Sequence, residues 1–330
     1  MGGVGGTETH GAILEPAVHR VLGLALAFLL ELVPALLLGM LLARRWPDLA
    51  GVLAPPLVRW GVPFSLMGLL LRSGLHWDVL EMGVLALAAV GSGLLVVQRW
   101  CSSPAERLGA VVGNTAYFGI PAALALLPPQ ALSYAISYDL AGTLFTWTIG
   151  PSLMAQRRLA LQPLLTALVR SPASQGLLGA ALLQLSPWDG VLAAWLWWPA
   201  RAVVWLSLVV LGLRIAPVLG RPLPFGVLVS MAIKLVLFPL AVLVMAVLLR
   251  LPPLLLAPLV LQAAAPTAVA VLLLAESVGS DAGADRAVDT RRPAALVLWS
   301  TLAALLTVPL WAWLLQLLGL STGLSTGAGA

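Results

Sequence analysis

Charged residues make up only 9% of this 330-residue chain, whereas 61% of its residues are hydrophobic. Because a soluble domain averages about 25% charged residues, this composition excludes a soluble protein and predicts an integral membrane protein embedded in a lipid bilayer. The formal net charge of +5 comes from arginines scattered between apolar runs, so it gives no signal of nucleic-acid binding. The single cysteine excludes an internal disulfide framework.

About ten apolar stretches follow one another along the chain, most of them near the ~20 residues that cross a bilayer as a helix. The first begins at Val21 and is too long for a signal-peptide core, so residues 1–20 are expected to be an N-terminal tail. The stretches lie at 21–42, 52–72, 79–98, 108–128, 131–154, 172–187, 191–215, 223–250, 255–279 and 294–319. The sixth of them is short and polar.

The arginines are unevenly distributed between the two sides of the predicted membrane. If successive loops alternate sides, one side holds Arg44, Arg45, Arg99, Arg107, Arg157, Arg158, Arg170, Arg214, Arg221, Arg286, Arg291 and Arg292. The other side holds Arg20, Arg72 and Arg250. Since positively charged loops stay in the cytoplasm, we predict a multi-pass protein of the cell (inner) plasma membrane with both termini extracytoplasmic.

The fourth stretch contains residues that interrupt a helix. Gly113, Asn114, Gly119 and Pro121 lie in its middle, where an ordinary spanning helix would contain leucine and valine. Proline lacks an N–H and its ring clashes with the preceding turn, but it fits the first turn of a helix. We therefore predict that the helix breaks at or just before Pro121 and that Pro121 opens a second half-helix.

The ninth stretch is interrupted in a corresponding place. Pro266 lies near its centre, with Gln262 before it and Thr267 after it. Backbone groups freed by such breaks persist at membrane depth only if they are buried in protein or line a watery cavity. Two interrupted segments in corresponding positions of two halves indicate the binding site of a secondary transporter.

Short segments recur in the same order in the two halves. Residues 64–72 read FSLMGLLLR and residues 206–214 read LSLVVLGLR, and LLGMLL at 37–42 corresponds to LLGAAL at 177–182. Because each half would contain an odd number of spans, the second copy must enter the membrane in the opposite orientation. We expect a first repeat at 21–155, a short cytoplasmic linker at 156–171, a second repeat at 172–319 and a C-terminal tail at 320–330.

Together these features resemble the auxin efflux carrier family, within the bile-acid, arsenite and riboflavin transporter-like superfamily. The similarity rests on Asn114 with Gly119-Ile120-Pro121 in the first half, and on Lys234 to Pro239 with Ala265-Pro266 in the second. It implies an all-α polytopic membrane protein of about ten transmembrane helices, arranged as two inverted five-helix repeats in which broken helices 4 and 9 cross. It also implies elevator-type motion.

Six residues of the interrupted stretches are candidates for substrate binding: Asn114, Gly119, Pro121, Gln262, Pro266 and Thr267. The side chains of Asn114, Gln262 and Thr267 can hydrogen-bond a substrate, while the second half-helices face it with the positive ends of their dipoles. The alternative is that these polar groups only satisfy the freed backbone. The prolines are expected to shape the crossing and need not touch the ligand.

Three ionisable residues inside the predicted spans are candidates for coupling or charge compensation: Asp139, Lys234 and Glu31. Each costs about 2.5–3.5 kcal/mol on an insertion scale and therefore indicates function by default. Asp139 can carry a proton or pair with an arginine in a span. Lys234 can attract an anionic substrate, replace a coupling cation by its own charge, or form a structural ion pair.

The interruptions and the resemblance favour a secondary active transporter or uniporter of a small organic anion, such as a carboxylate or an auxin-like molecule, with protons as candidate coupling ions. One alternative is a membrane receptor or sensor that uses the same site without transport, and another is a sodium-coupled symporter of bile-acid type. The sequence contains no HExxH, GxSxG or P-loop motif, so we expect no enzymatic activity, metal or cofactor. A homodimer is compatible with the resemblance.

Overall fold

The computed structural model describes residues 8–73, 77–156, 161–219, 223–281 and 291–320. Within these ranges the α-helices are α1 (Glu8–Arg45), α2 (Leu49–Pro56), α3 (Val62–Ser73), α4 (Trp77–Val97), α5 (Pro104–Gly109), α6 (Ile120–Leu126), α7 (Leu132–Thr148), α8 (Gly150–Met154), α9 (Leu161–Arg170), α10 (Pro172–Gln184), α11 (Asp189–Ile215), α12 (Phe225–Ala232), α13 (Phe238–Leu248), α14 (Pro253–Ala263), α15 (Val269–Asp281) and α16 (Arg291–Leu317). Three π-helical turns lie at Leu57–Gly61, Thr115–Gly119 and Ile233–Leu237, and short 3-10 turns at Pro129–Ala131 and Ala216–Val218.

Among the described residues, five helical stretches are apolar and long enough to cross a membrane. They are Leu49–Arg72, Leu80–Val97, Asp189–Ile215, Phe225–Leu248 and Arg291–Leu317. The shorter apolar helices Thr115–Leu126 and Pro253–Ala263 belong to the two interrupted stretches. Each of the five overlaps a predicted span, so the prediction of an all-α membrane protein with several spans is confirmed.

Two helices extend into segments that the sequence analysis assigns to a tail and a linker. α1 begins at Glu8, inside the predicted N-terminal tail, and α9 lies inside the predicted linker. Leucines recur through α9 at the three- and four-residue spacing of one helix face, a pattern typical of an amphipathic helix. This signal is present in the sequence but weaker than the long apolar runs beside it. Residues 321–330, the rest of the predicted C-terminal tail, lie outside the described residues.

Each π-helical turn stands just before a proline. The turns end at Gly61, Gly119 and Leu237, and prolines follow two residues later at positions 63, 121 and 239. After each turn a backbone N–H donates to the carbonyl five residues earlier, as Ile120 N–H does to Thr115 O. The wider turn makes room for a proline ring that would clash with a preceding α-helical turn. The helices therefore continue through these prolines.

Helices α1, α3, α10 and α11 pack chiefly against one another, and we call them the scaffold layer. Helices α4, α7 and α12 to α16 pack together with the two interrupted stretches, and we call this second set the core group. The scaffold layer combines two helices from each half of the chain. Both interrupted stretches therefore belong to one packing unit, and the scaffold layer lies against it.

The backbones of α1 and α11 touch at two glycines. A Cβ atom on Gly39 would overlap the carbonyl oxygen of Val209, and one on Gly212 would overlap the carbonyl oxygen of Leu36. Small residues let membrane helices approach this closely. These two glycines therefore set the spacing between α1 and α11 inside the scaffold layer.

Replacing Gly39 by valine should destabilise the scaffold layer. The new side chain would meet the backbone of α11, and a backbone cannot move aside by a change of rotamer as a side chain can. Overpacking of this kind typically costs about 1–3 kcal/mol. We expect a lower apparent Tm for the detergent-purified variant, measured by size-exclusion chromatography after heating. Gly23 on the same helix has nothing within 4 Å of its Cβ position, so Gly23→Val is the matched control and should melt like the wild type. Equal melting of the two variants would contradict this packing.

Candidate functional site

The two helical interruptions meet each other and pair through their backbones. α5 ends at Gly109 and α14 ends at Ala263, and helical structure resumes at positions 115 and 269. The N–H of Asn114 donates to the carbonyl of Pro266 at 2.6 Å, and the N–H of Ala268 donates to the carbonyl of Val112 at 3.2 Å. This is a short antiparallel bridge. We call residues 110–114 and 264–268 together the crossover.

Side chains from the protein satisfy the last carbonyl of each first half-helix. The Thr267 hydroxyl donates to Gly109 O, the end of α5, at 2.8 Å. The Lys234 ammonium donates to Ala263 O, the end of α14, at 2.6 Å. The N–H of Thr267 in turn donates to the Ser300 hydroxyl at 3.0 Å. Backbone groups that the breaks expose are therefore paired inside the protein, as irregular structure at membrane depth requires.

The prediction that the fourth stretch breaks at or just before Pro121 is wrong. The break lies at residues 110–114, and Pro121 stands in the first turn of α6, after the π-helical turn Thr115–Gly119. That turn accommodates the proline ring, so the second half-helix runs through it. The chain leaves the helical path earlier, where its backbone pairs with the second interruption. In the ninth stretch Pro266 does lie within the break.

A cavity of about 120 Å³ lies between the crossover and the scaffold layer. Residues 115–117 and 268–270, which are the first turns of the two second half-helices, form part of its wall. The wall is completed mainly by α11, by α7 and by the stretch from α2 to α3. Helix N-termini carry unpaired N–H groups and partial positive charge. Both half-helices therefore present their positive ends to one cavity.

Asn114 supplies an unpaired hydrogen-bond donor to this cavity. The residue is 4% exposed and is part of the cavity wall. Its Nδ2 atom has no hydrogen-bond partner among the described residues. A buried donor without a partner costs about 1–3 kcal/mol, and a ligand in the cavity can remove that cost. The amide of Asn114 is therefore placed to bind a substrate.

Two opposite charges line the cavity. Asp139 comes from α7 and is 2% exposed, and Arg214 comes from the last turn of α11. The Thr115 hydroxyl donates to Asp139 Oδ1 at 2.6 Å, which ties the carboxyl group to the first turn of a half-helix. Tyr117 and Ser207 also line the cavity. The polar part of the wall thus contains a carboxyl group, a guanidinium group and an amide.

Arg214 is a candidate binding residue that the sequence analysis does not identify. It is placed there with the arginines of the cytoplasmic loops, because it ends the seventh apolar stretch. The structure places it in the last turn of α11 and in the cavity wall. Because arginines near the ends of spans usually extend to the membrane interface, the position of Arg214 in the sequence gives no signal of a binding role.

Several predicted site residues are not part of this cavity wall: Gly119, Pro121, Gln262, Pro266, Thr267, Lys234 and Glu31. Gln262 is 1% exposed and lies beside Gly119, where a Cβ atom would overlap its amide group. Glu31 accepts a hydrogen bond from Arg201 at 2.7 Å, with both side chains about 40% exposed. The roles predicted for these residues in binding and coupling stay predictions.

Comparison with known proteins points to membrane transport. Residues 164–312, less than half of the chain, match the protein family described as membrane transport protein. The match runs from α9 to α16 and supports in part the resemblance to the auxin efflux carrier family. No curated protein matches the chain. The family match and the apolar helices indicate a multi-pass membrane transporter, which is consistent with a protein that is not an enzyme.

Proposed function

We propose that this protein is a secondary active transporter or uniporter that moves a small organic anion, such as a carboxylate or an auxin-like molecule, by alternating access. The observation that carries the proposal is the buried Nδ2 atom of Asn114, which has no partner in the described part of the chain, in a cavity that Arg214 also lines. Both groups donate hydrogen bonds, and an arginine binds a carboxylate through two parallel N–H groups. A carboxylate is an acceptor for both kinds of donor.

The charges around the cavity favour an anion. Arg214 carries an essentially permanent positive charge, and each half-helix N-terminus adds roughly half a charge. Asp139 contributes the opposing negative charge of the wall. When its carboxyl group holds a proton, this opposing charge is lost and the wall becomes more positive. Anion binding and protonation of Asp139 therefore favour each other, which supports transport of the anion together with a proton.

The size and lining of the cavity favour a small substrate with an apolar part. A cavity needs about 10–15 Å³ to hold one water molecule, so about 120 Å³ accommodates only several water molecules or a compact ligand. Most of the wall is aliphatic, with residues such as Leu66, Val203 and Val210. A short-chain carboxylate can place its charged group against Arg214 and its hydrocarbon against this surface.

We extend the proposal to about ten spans in two inverted five-helix repeats, with elevator-type motion. Its support is that the interruptions occur in corresponding stretches of the two halves and meet in the crossover. The cavity also lies between the scaffold layer and the crossover. Sliding of the core group along the scaffold layer would carry the cavity from one side to the other. The arginine distribution supports a plasma-membrane location with extracytoplasmic termini.

Two alternatives lead to different expectations. A receptor or sensor would bind the anion saturably without counterflow. A sodium-coupled symporter of bile-acid type calls for acidic residues beside both interruptions. Asp139 accepts a hydrogen bond from Thr115, which directly follows the first interruption. At the second interruption, the charged group at the end of α14 is instead the Lys234 ammonium. This asymmetry favours the anion carrier over the sodium-coupled symporter.

The experiment that tests the proposal is uptake and counterflow in proteoliposomes. Purified protein is reconstituted and offered radiolabelled short-chain carboxylates and their uncharged amides as matched controls. We expect saturable uptake and counterflow of at least one carboxylate and none of its amide. Saturable binding without counterflow would support the receptor instead, and uptake of amides at equal rates would overturn the anion preference.

Asn114→Ala should weaken carboxylate transport. The variant removes a donor worth about 1.5–3 kcal/mol to a bound anion, so we expect KM to rise at least about tenfold with the protein still folded. Ser92→Ala is the control, because the Ser92 hydroxyl donates within its own helix to Ala89 O and lies outside the cavity wall. Initial uptake rates over a range of carboxylate concentrations measure KM. An unchanged KM in Asn114→Ala would remove this residue from the binding site.

A further inference from the structure

Lys234 is the single lysine of the chain, and all other strongly basic side chains are arginines. It lies in the π-helical turn Ile233–Leu237 and is 0% exposed. Its Nζ atom donates to the carbonyl of Ala263 at 2.6 Å. A Cβ atom on Gly113 would lie 3.3 Å from the same Nζ atom. The ammonium group therefore touches both interrupted stretches at the crossover.

The surroundings of this ammonium group resemble those of a bound cation rather than those of an ion pair. Between the described residues, side-chain ion pairs join Arg201 to Glu31 and Arg292 to Glu106, and neither pair includes Lys234. Nζ instead faces the Ala263 carbonyl at the partially negative C-terminal end of α14 and the ring of Phe238, whose centroid is 5.0 Å away. In transporters with broken helices, such C-terminal ends bind coupling cations.

The shape of the site explains why the cation is a lysine. An ammonium group is a compact point charge with three donors, whereas a guanidinium group is a broad planar fork. Gly113 has no side chain, and a Cβ atom there would crowd Nζ at 3.3 Å. The π-helical turn adds one residue to the helix just before Pro239 and so directs Lys234 into the crossover. Such single-turn π segments often occur at functional sites.

We propose that the Lys234 ammonium is a tethered cation that occupies a cation site at the end of α14 and makes the carrier independent of sodium. The proposal rests on the proposed function and specifies the ion dependence of the same crossover. A tethered cation stays in place through the whole cycle, so a sodium gradient cannot act there. Removing the ammonium group exposes the Ala263 carbonyl and leaves a space that a free sodium or methylammonium ion can enter.

The first test measures cation binding without any transported substrate. The Tm of detergent-purified Lys234→Ala is compared in sodium, methylammonium and choline chloride at equal ionic strength. We expect sodium or methylammonium to raise the Tm of the variant by about 3–5 °C over choline, and to leave the Tm of the wild type unchanged. Arg201→Ala, outside the crossover, should show no ion-specific shift. If Lys234→Ala does not fold, Lys234→Met keeps the apolar stem and is measured in the same way.

The second test uses carboxylate uptake in proteoliposomes. Wild-type uptake should be equal in sodium and choline, whereas uptake by Lys234→Ala should fall about tenfold in choline and recover several-fold in sodium or methylammonium. The proposal is overturned if wild-type uptake needs sodium, or if folded variants show neither an ion-specific Tm shift nor recovery, which would make Lys234 a structural cap. If the wild type transports no carboxylate, the proposed function fails, and the melting experiment still decides the role of Lys234.

Discussion

Arg214→Gln is expected to lower kcat/KM for carboxylate uptake about 100-fold. The substitution keeps a polar side chain of similar reach but removes the positive charge that faces the cavity. Arg214 is partly buried. A hydrogen bond to a charged group contributes about 1.5–3 kcal/mol, and a loss near the upper end of this range corresponds to this factor. Initial uptake rates, normalised to reconstituted protein, give the measurement. Arg214→Lys should recover only part of the activity. Lysine restores the positive charge, but its ammonium group cannot bind a carboxylate through two parallel N–H groups as a guanidinium group does.

The control for this prediction lies on the same helix. Arg201 also belongs to α11, but it pairs with Glu31 at a half-exposed position and is not part of the cavity wall. Exposed ion pairs contribute about 0–1 kcal/mol, so Arg201→Gln should change uptake less than about threefold. Equal losses in the two variants would mean that α11 is sensitive to any change of charge. In that case Arg214 would have no specific role in binding the anion.

Asp139→Asn is expected to abolish the response of uptake to a pH gradient while leaving uptake itself within about threefold of the wild type. Asparagine imitates the protonated, uncharged carboxyl group, and its amide oxygen can still accept the Thr115 hydroxyl. In the wild type, protons favour anion binding on the acidic side, and their loss favours release on the alkaline side. Accumulation should therefore be faster into vesicles with an alkaline interior. The variant lacks the group that gains and loses the proton.

The measurement is uptake with and without an inward proton gradient. Potassium is kept equal inside and outside the vesicles, and the membrane potential is clamped. Asp189→Asn is the control, because Asp189 is exposed at the start of α11, far along that helix from Arg214. It should keep the stimulation of the wild type. A pH-gradient response that persists in Asp139→Asn would place the coupling group elsewhere. A wild type that never responds to the gradient would identify a uniporter.

The interrupted stretches illustrate how far local sequence determines structure. Gly113 and Asn114 lie in the first break, which the sequence predicted further on, at or just before Pro121, and Pro266 lies in the second. Pro121 does not break its helix, because a π-helical turn before it relieves the clash. The same arrangement recurs before Pro63 and Pro239. Whether a proline ends a helix or is accommodated depends on the backbone around it, and composition alone does not reveal which of the two occurs.

The polar side chains in and beside the crossover likewise have roles that local sequence does not reveal. Asn114 reaches the cavity with an unpaired amide nitrogen, whereas Thr267 turns its hydroxyl to Gly109 O at the end of α5. Lys234 turns to Ala263 O at the end of α14. All three stand in or beside the crossover and are polar or charged. Their chemistry is equally suited to a ligand or to a freed carbonyl, and only the position of the opposite interruption decides between them.

The sequence alone determined that this is an all-α membrane protein, where its apolar stretches lie, and that two of them are interrupted, because these properties depend on composition and on neighbouring residues. Only the tertiary structure decided that Arg214 and Asp139 share one cavity with Asn114, and that Lys234 does not. Arg214 comes from the seventh apolar stretch, and Asp139 and Asn114 come from the fifth and fourth. The rotation and spacing of helices so far apart in the chain follow from contacts such as Gly39 with α11, and those contacts have no signature in any single stretch.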